Sequence, residues 1–238
     1  YLLREALSLL GQFDGLPNLE ALEGLRLGLG VRNNECKIIS FTKNPLENTN
    51  LIGELFTAIS QQQVVELNYH KFNAPDEILT VNVHPYLLKE YNRRWFLICA
   101  AETDGKILNF GLERINNVNP LPAHKYVEYN GDINEIFEDI VGVTNYTEKE
   151  VLKILFWVSD VSKDYVTSKP LHDSQRYYRG DADKICRIQY PMLHGGSFFS
   201  IECKENYELI RELTSYGENL VVLSPQCIID KVQQRIAK

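Results

Sequence analysis

Methionine is almost missing from this chain of 238 residues: Met192 is the only one, and the first residue is Tyr1. A translated chain starts with Met, so the expectation is a piece of a longer protein with a head upstream. Long apolar runs are missing too. No stretch reaches the ~20 residues that a bilayer-crossing helix needs, and no basic segment followed by an apolar one marks secretion. Paired cysteines are missing: Cys36, Cys99, Cys186, Cys203 and Cys227 are odd in number and none stands at C-x-x-C spacing. That argues against a zinc site or a disulfide framework. Cys99, Cys186 and Cys203 fall in apolar, strand-like runs, where a free thiol behaves as a small buried hydrophobe. Together these absences predict a protein of the reducing cytoplasm with no membrane partner.

Catalytic signatures are absent as well. His70, His84, His124, His172 and His194 form no paired ligand spacing. There is no G-x-S-x-G elbow, P-loop or G-x-G-x-x-G. Gly195-Gly196 reads as a turn, and Asp181 with Asp183 as a solvated polar turn. The expectation is no metal, no cofactor and no enzyme.

What is present is an ordinary globular balance, 44% apolar and 24% charged, with a net charge of −7. The charge is uneven. Residues 127–146 carry 5 acids and no base, while residues 147–238 carry 13 of each. No part has the basic excess that duplex DNA binding needs.

Periodicity divides the chain. Leucine stripes over residues 2–13 and 19–29 predict two short helices, and residues 1–50 read as a helical connector. Leu51, Ile52, Leu55, Phe56 and Ile59 form one helical face. From Val64 the period becomes two, with strands through Leu67, Val81, Leu97, Phe110 and Ile115 and a hairpin signal at Asp104-Gly105. One helix and five short strands over 51–126 predict a small β-barrel of the SH3 or Sm kind. Residues 127–149 read as an acidic linker with a short helix at 133–140. Residues 150–238 read as β-α-β-β-α-β, a ferredoxin-like α/β sandwich. In it, strands are predicted at 151–158, 174–179, 198–203 and 220–223, with an extra strand or bulge near 180–196 that includes a strand-like run at 184–190, and helices at 161–168 and 206–216. A closing helix has Ser224 as N-cap and Pro225 at N1. The class is α+β.

The distinctive run is residues 84–118, HPYLLKEYNRRWFLICAAETDGKILNFGLERINNV. It resembles the WYL family, with Trp95-Phe96-Leu97 in place of Trp-Tyr-Leu. Tyr69 closes the first strand, Pro85 follows the second, and Leu112-Glu113-Arg114-Ile115 stands where the family has Leu-Asp-Arg-Ile. His172-Asp173-Ser174-Gln175, Leu213 to Gly217 and Ser224-Pro225 resemble the extension that follows this domain in the family. The resemblance implies a bacterial transcription regulator. Its barrel would sense a single-stranded nucleic acid or nucleotide-like ligand, its extension would support a homodimer, and a missing N-terminal helix-turn-helix would hold promoter DNA. The runner-up is a nucleic-acid-binding accessory protein of an effector or defence system.

For such a ligand, Lys89, Arg93, Arg94 and Arg114 offer cations and Tyr69, Phe96 and Tyr91 offer rings, with His84 beside Pro85. Each has a plain alternative: Arg93-Arg94 as a solvated hairpin flank, Arg114 paired with Glu113, His84 as a local hydrogen-bonding residue. Trp95 and Phe96 point to opposite faces, and Trp95 is expected in the core. Leu108 and Gly111 stand where many family members carry arginines in R-x-F-R, so two phosphate-reading cations are missing here.

Overall fold

Leu51, Ile52, Leu55 and Ala58 recur at helical spacing, and they are the buried positions of the first helix, α1 (Asn50–Ser60). The computed structural model describes residues 50–237; the helices expected at 2–13 and 19–29 lie outside that range. The chain divides after Gly131 into two units.

In the first unit five antiparallel strands follow α1: β1 (Val65–Lys71), β2 (Ala74–Tyr91), β3 (Arg94–Ala101), β4 (Ile107–Gly111) and β5 (Ile115–Pro120). Their order is β4-β3-β2-β1-β5. The 18-residue β2 serves two partners. Its residues 74–83 pair with β1 and its residues 83–91 with β3, with an irregularity between Pro85 and Leu87. Such a bulge bends a strand and increases its twist. The sheet curls but does not close: β4 and β5 remain its edges, joined through a 3-10 turn at Leu112–Arg114. The expected helix and five antiparallel strands form, without a strand pairing among the described residues that closes them into a barrel. Alternation sorts β1 and β3. Val65, Leu67, Tyr69, Leu97 and Cys99 pack with α1, Leu112, Ile115 and Val118 in one core, and Trp95 is half-buried against it.

The second unit holds β6 (Val151–Val158), β7 (Arg176–Tyr177), β8 (Ser197–Lys204) and β9 (Leu220–Ser224), all antiparallel and ordered β7-β8-β6-β9. Its helices are α2 (Lys163–Ser168), α3 (Asp181–Gln189), α4 (Tyr207–Ser215) and α5 (Gln226–Ile236). Adjacent β6 residues bury in opposite directions. Phe156 joins Phe199, Leu209, Leu213 and Ile228 in the larger core. Trp157 joins Phe198 and Cys186 in a smaller one. The sheet is thus covered on one side by α2, α4 and α5 and on the other by α3.

Four local expectations are corrected. Residues 184–190 read as a strand, but they belong to α3, and Cys186 is a helical residue. Asp181 and Asp183 are its first-turn acids and pair with Lys184 and Arg187 at i,i+3 and i,i+4. Those pairs and the helix dipole favour the helix over the weak apolar alternation. The strand at 174–179 shrinks to two residues. Ser224 ends β9, and Pro225 takes the N-cap place before α5. In the acidic segment, Asp132 caps a 3-10 turn at Ile133–Phe137, and Ile140, Val141 and Val143 are buried, Val141 in the larger core of the second unit.

Candidate ligand-binding cluster

The turn that joins β4 to β5 gathers charged and aromatic side chains among the described residues of the first unit. Leu112 and Ile115 are buried and anchor it. Glu113 and Arg114 lie between these anchors. In the β1–β5 pairing Tyr69 stands opposite Ile115, so the β1–β2 turn that holds Phe72 lies beside Arg114.

Arg114 is the hub. Its guanidinium lies 5.0 Å from the Tyr69 ring centre and 5.1 Å from that of Phe72. Arg94 approaches the same Phe72 ring at 5.9 Å and donates to Glu113 Oε1 at 3.0 Å. The same oxygen is 4.0 Å from Arg114 Nε, a buried donor with no hydrogen-bond acceptor among the described residues. Tyr69 is buried and meets Phe110 edge-on at 4.8 Å. Burial pushes the Tyr69 hydroxyl up from its ordinary range; the Arg114 charge pulls against that and Glu113 adds to it. Phe72 is 63% exposed, an unusual position for a large ring. Two cations and one carboxylate thus surround one open aromatic face.

The other proposed site residues divide. Lys89 stands opposite Phe96, and Phe96 opposite Gly111, so these three form a row across β2, β3 and β4 on the face turned away from α1. Arg94, two residues before Phe96, begins on that face. Arg93 is exposed in the β2–β3 turn at φ 63°, where its backbone N–H donates to the Glu90 carboxylate; Tyr91 stands opposite Arg94. His84 lies apart from the cluster. It is buried, Nδ1 accepts from the Val127 N–H at 3.3 Å, and the ring meets Tyr126 edge-on. Tyr126 in turn donates to the Pro85 carbonyl at 2.7 Å, and burial, helped by Tyr86 and Glu128, pushes its hydroxyl up to about 12. These contacts give His84 a local, structural place.

Phe72 and Glu113 were not among the residues singled out. The sequence does carry a signal for Phe72, a large ring in an otherwise polar turn between two strands. Nothing in the sequence marks Glu113 as the acceptor that Arg94 uses.

The two positions where arginines are absent also have physical reasons. Leu108 packs against the core. At Gly111 an added Cβ would lie 2.9 Å from both Glu113 carboxylate oxygens and 3.1 Å from Arg114 Nη2. The lack of a side chain at Gly111 is what lets Glu113 fold over this end of the sheet.

Among the described residues there is no group of three or more metal-ligating side chains, and no helix is long and apolar enough to cross a membrane. No curated protein matches the sequence. The solved structures similar to it include two that align over most of this chain. Proteasome accessory factor B/C of Arthrobacter aurescens aligns over 82% of this chain and 27% of its own, at 14% identity and a TM-score of 0.35. A CRISPR Cas-related protein aligns over 79% and 50%, at 10% identity and a TM-score of 0.48. The chain therefore spans half or less of the length of either. The family model for the WYL domain matches residues 50–120, the helix and five strands that build the cluster. This chain contains a WYL domain.

Proposed function

We propose that this chain is the ligand-sensing and dimerising region of a transcription regulator, not an enzyme, and that the first unit senses a single-stranded nucleic acid or nucleotide-like ligand. The observation that carries the reading is the convergence of Arg94 and Arg114 on the exposed ring of Phe72. Guanidinium forks suit phosphate oxygens, and an open ring suits a base. Glu113 already occupies Arg94. A phosphate would have to take its place, so binding would release the carboxylate from the β4–β5 turn and let an incoming oxygen reach the Arg114 donors. That exchange couples occupancy to the geometry of one turn, which is what a sensor requires.

On this reading the curled first sheet is an opened SH3/Sm-like barrel. The second unit is ferredoxin-like, a view supported by its order β7-β8-β6-β9. The second unit would carry the homodimer contact, promoter DNA would be held by a separate domain, and the protein would work in the cytoplasm.

Fluorescence anisotropy with a labelled oligonucleotide, run at low and high salt, tests the site. Arg114→Ala is expected to weaken binding about tenfold, the size of one lost charge-assisted contact, and to flatten the salt dependence. Phe72→Leu keeps the bulk and loses the ring, so it should weaken binding while leaving the salt slope unchanged. Wild-type affinity in both variants would remove the cluster from ligand binding.

A further inference from the structure

The second unit has a cleft of its own, about 570 Å³, between the segment around Tyr146, the start of α4 and the last turns of α5. Its lining differs in kind from the rest of the unit. Residues 147–238 carry 13 bases and 13 acids, yet the cleft gathers Lys149, Lys231 and Arg235 around a single carboxylate, Glu205.

Hydrogen bonds fix the positions of these cations. Glu205 uses one oxygen for each lysine: Lys149 Nζ donates to Oε1 at 3.0 Å, and Lys231 Nζ donates to Oε2. One carboxylate thus positions two ammonium groups and neutralises one. Arg235 pairs with no carboxylate among the described residues. Its Nη2 donates to the Tyr207 hydroxyl at 3.2 Å, and its guanidinium stands 4.6 Å from that ring's centre. Lys149 also stands 4.4 Å from the centre of the Tyr146 ring. Both rings remain open, Tyr207 at 59% and Tyr146 at 38%. A cleft with two net positive charges and two accessible rings suits a ligand that is flat at one end and doubly charged at the other.

We propose that this cleft binds a small aromatic phosphate monoester of the mononucleotide class, with the phosphate among Lys149, Lys231 and Arg235 and the ring against Tyr207. The site is separate from the Arg94–Arg114 cluster and stands or falls without it.

The test is calorimetric titration of the full 238-residue chain carrying Arg94→Ala and Arg114→Ala, which silences the first unit's cluster. Adenosine monophosphate, adenosine and inorganic phosphate are the probes. The monophosphate should bind more tightly than either fragment. Adding Arg235→Gln or Lys231→Gln should weaken it about tenfold each, and adding salt should weaken it further. Tyr207→Ala should weaken the monophosphate but leave phosphate alone unchanged. Circular dichroism should show each variant folded, as expected for changes at partly or fully exposed positions. No binding of the monophosphate, or binding untouched by Arg235→Gln and Lys231→Gln, overturns the proposal. Phosphate binding as tightly as the monophosphate overturns the mononucleotide class.

Discussion

The two sheets of this protein solve the same burial problem differently. Among the described residues of the first unit, α1 covers one face, and the other is roofed toward His84, where Tyr126 reaches the Pro85 carbonyl. In the second unit helices lie on both faces, and the central strand β6 buries Phe156 one way and Trp157 the other. The consequence is chemical. Where no helix among the described residues lies over a face, strand residues such as Phe96 and Arg94 remain partly exposed, and the charged cluster grows at the sheet's own end. Where both faces are covered, the central strand side chains Phe156, Trp157, Phe198 and Phe199 are buried, and the cations of the cleft gather at helix ends instead, in Lys231, Arg235 and the segment before β6.

The largest effect expected from this contrast is on stability. Trp95 and Trp157 give each unit its own fluorescent reporter, since the chain has only these two tryptophans. Phe156→Ala should lower the stability of the second unit by about 3–5 kcal/mol, the usual cost of emptying a fully buried aromatic site. Trp95→Ala should cost the first unit less, about 2 kcal/mol, because its ring is only half-buried. Urea unfolding checks both, the first variant by fluorescence in Trp95→Phe and Trp157→Phe backgrounds and the second, which removes the first unit's reporter, by circular dichroism. If Phe156→Ala moved the Trp95 transition as far as that of Trp157, the two units would unfold as one and the comparison would break.

A smaller effect sharpens the comparison at the cluster. Gly111 has φ −68°, a conformation open to any residue, and the three atoms nearest an added Cβ are side-chain ends, of Glu113 and Arg114. Gly111→Arg should therefore fold normally, displace the Glu113 carboxylate and supply a cation. Oligonucleotide affinity in the first unit should rise about threefold to tenfold, with an unchanged melting temperature. A large drop in melting temperature would mean that Glu113 cannot yield.

The smallest effect belongs to the second unit's cleft. Partial burial pushes Glu205 upward, but hydrogen bonds from Lys231 and Lys149 outweigh it and hold the carboxyl below its ordinary value of 4.5. A group lowered on folding contributes stability above its unfolded pKa and loses that contribution as pH falls through the folded one. Between about pH 6 and about pH 3 the Trp157 transition should weaken more in the wild type than in Glu205→Gln. Parallel curves would show that the lysines do not hold this carboxylate in solution.

Legibility followed the range of the forces involved. The helix α1 and the strands β1 to β6, β8 and β9 could be read because their burial repeats at a fixed spacing within a few residues. The error at α3 has the same origin. Ile185 and Ile188 are exposed at 63% and 81%, so no buried stripe announced a helix there. The candidate site was half legible. Arg94, Arg114 and Tyr69 stood out by type and motif, while Phe72 and Glu113 lie 22 and 19 residues from Arg94, and only the fold joins them.

The sequence by itself determined the elements, because alternation and helical spacing say which side chains must be buried, and it determined the WYL likeness through its ordered landmarks. Only the tertiary structure decided that the first sheet stays open, that α3 closes the second face of the other sheet, and that Arg94 and Arg114 meet at Phe72. The β1–β5 register sets Arg114 beside Phe72, and the irregularity of β2 between Pro85 and Leu87, where such a strand bends, goes with the approach of Arg94 from β3. These pairings bring together residues whose spacing along the chain carries no sign of it.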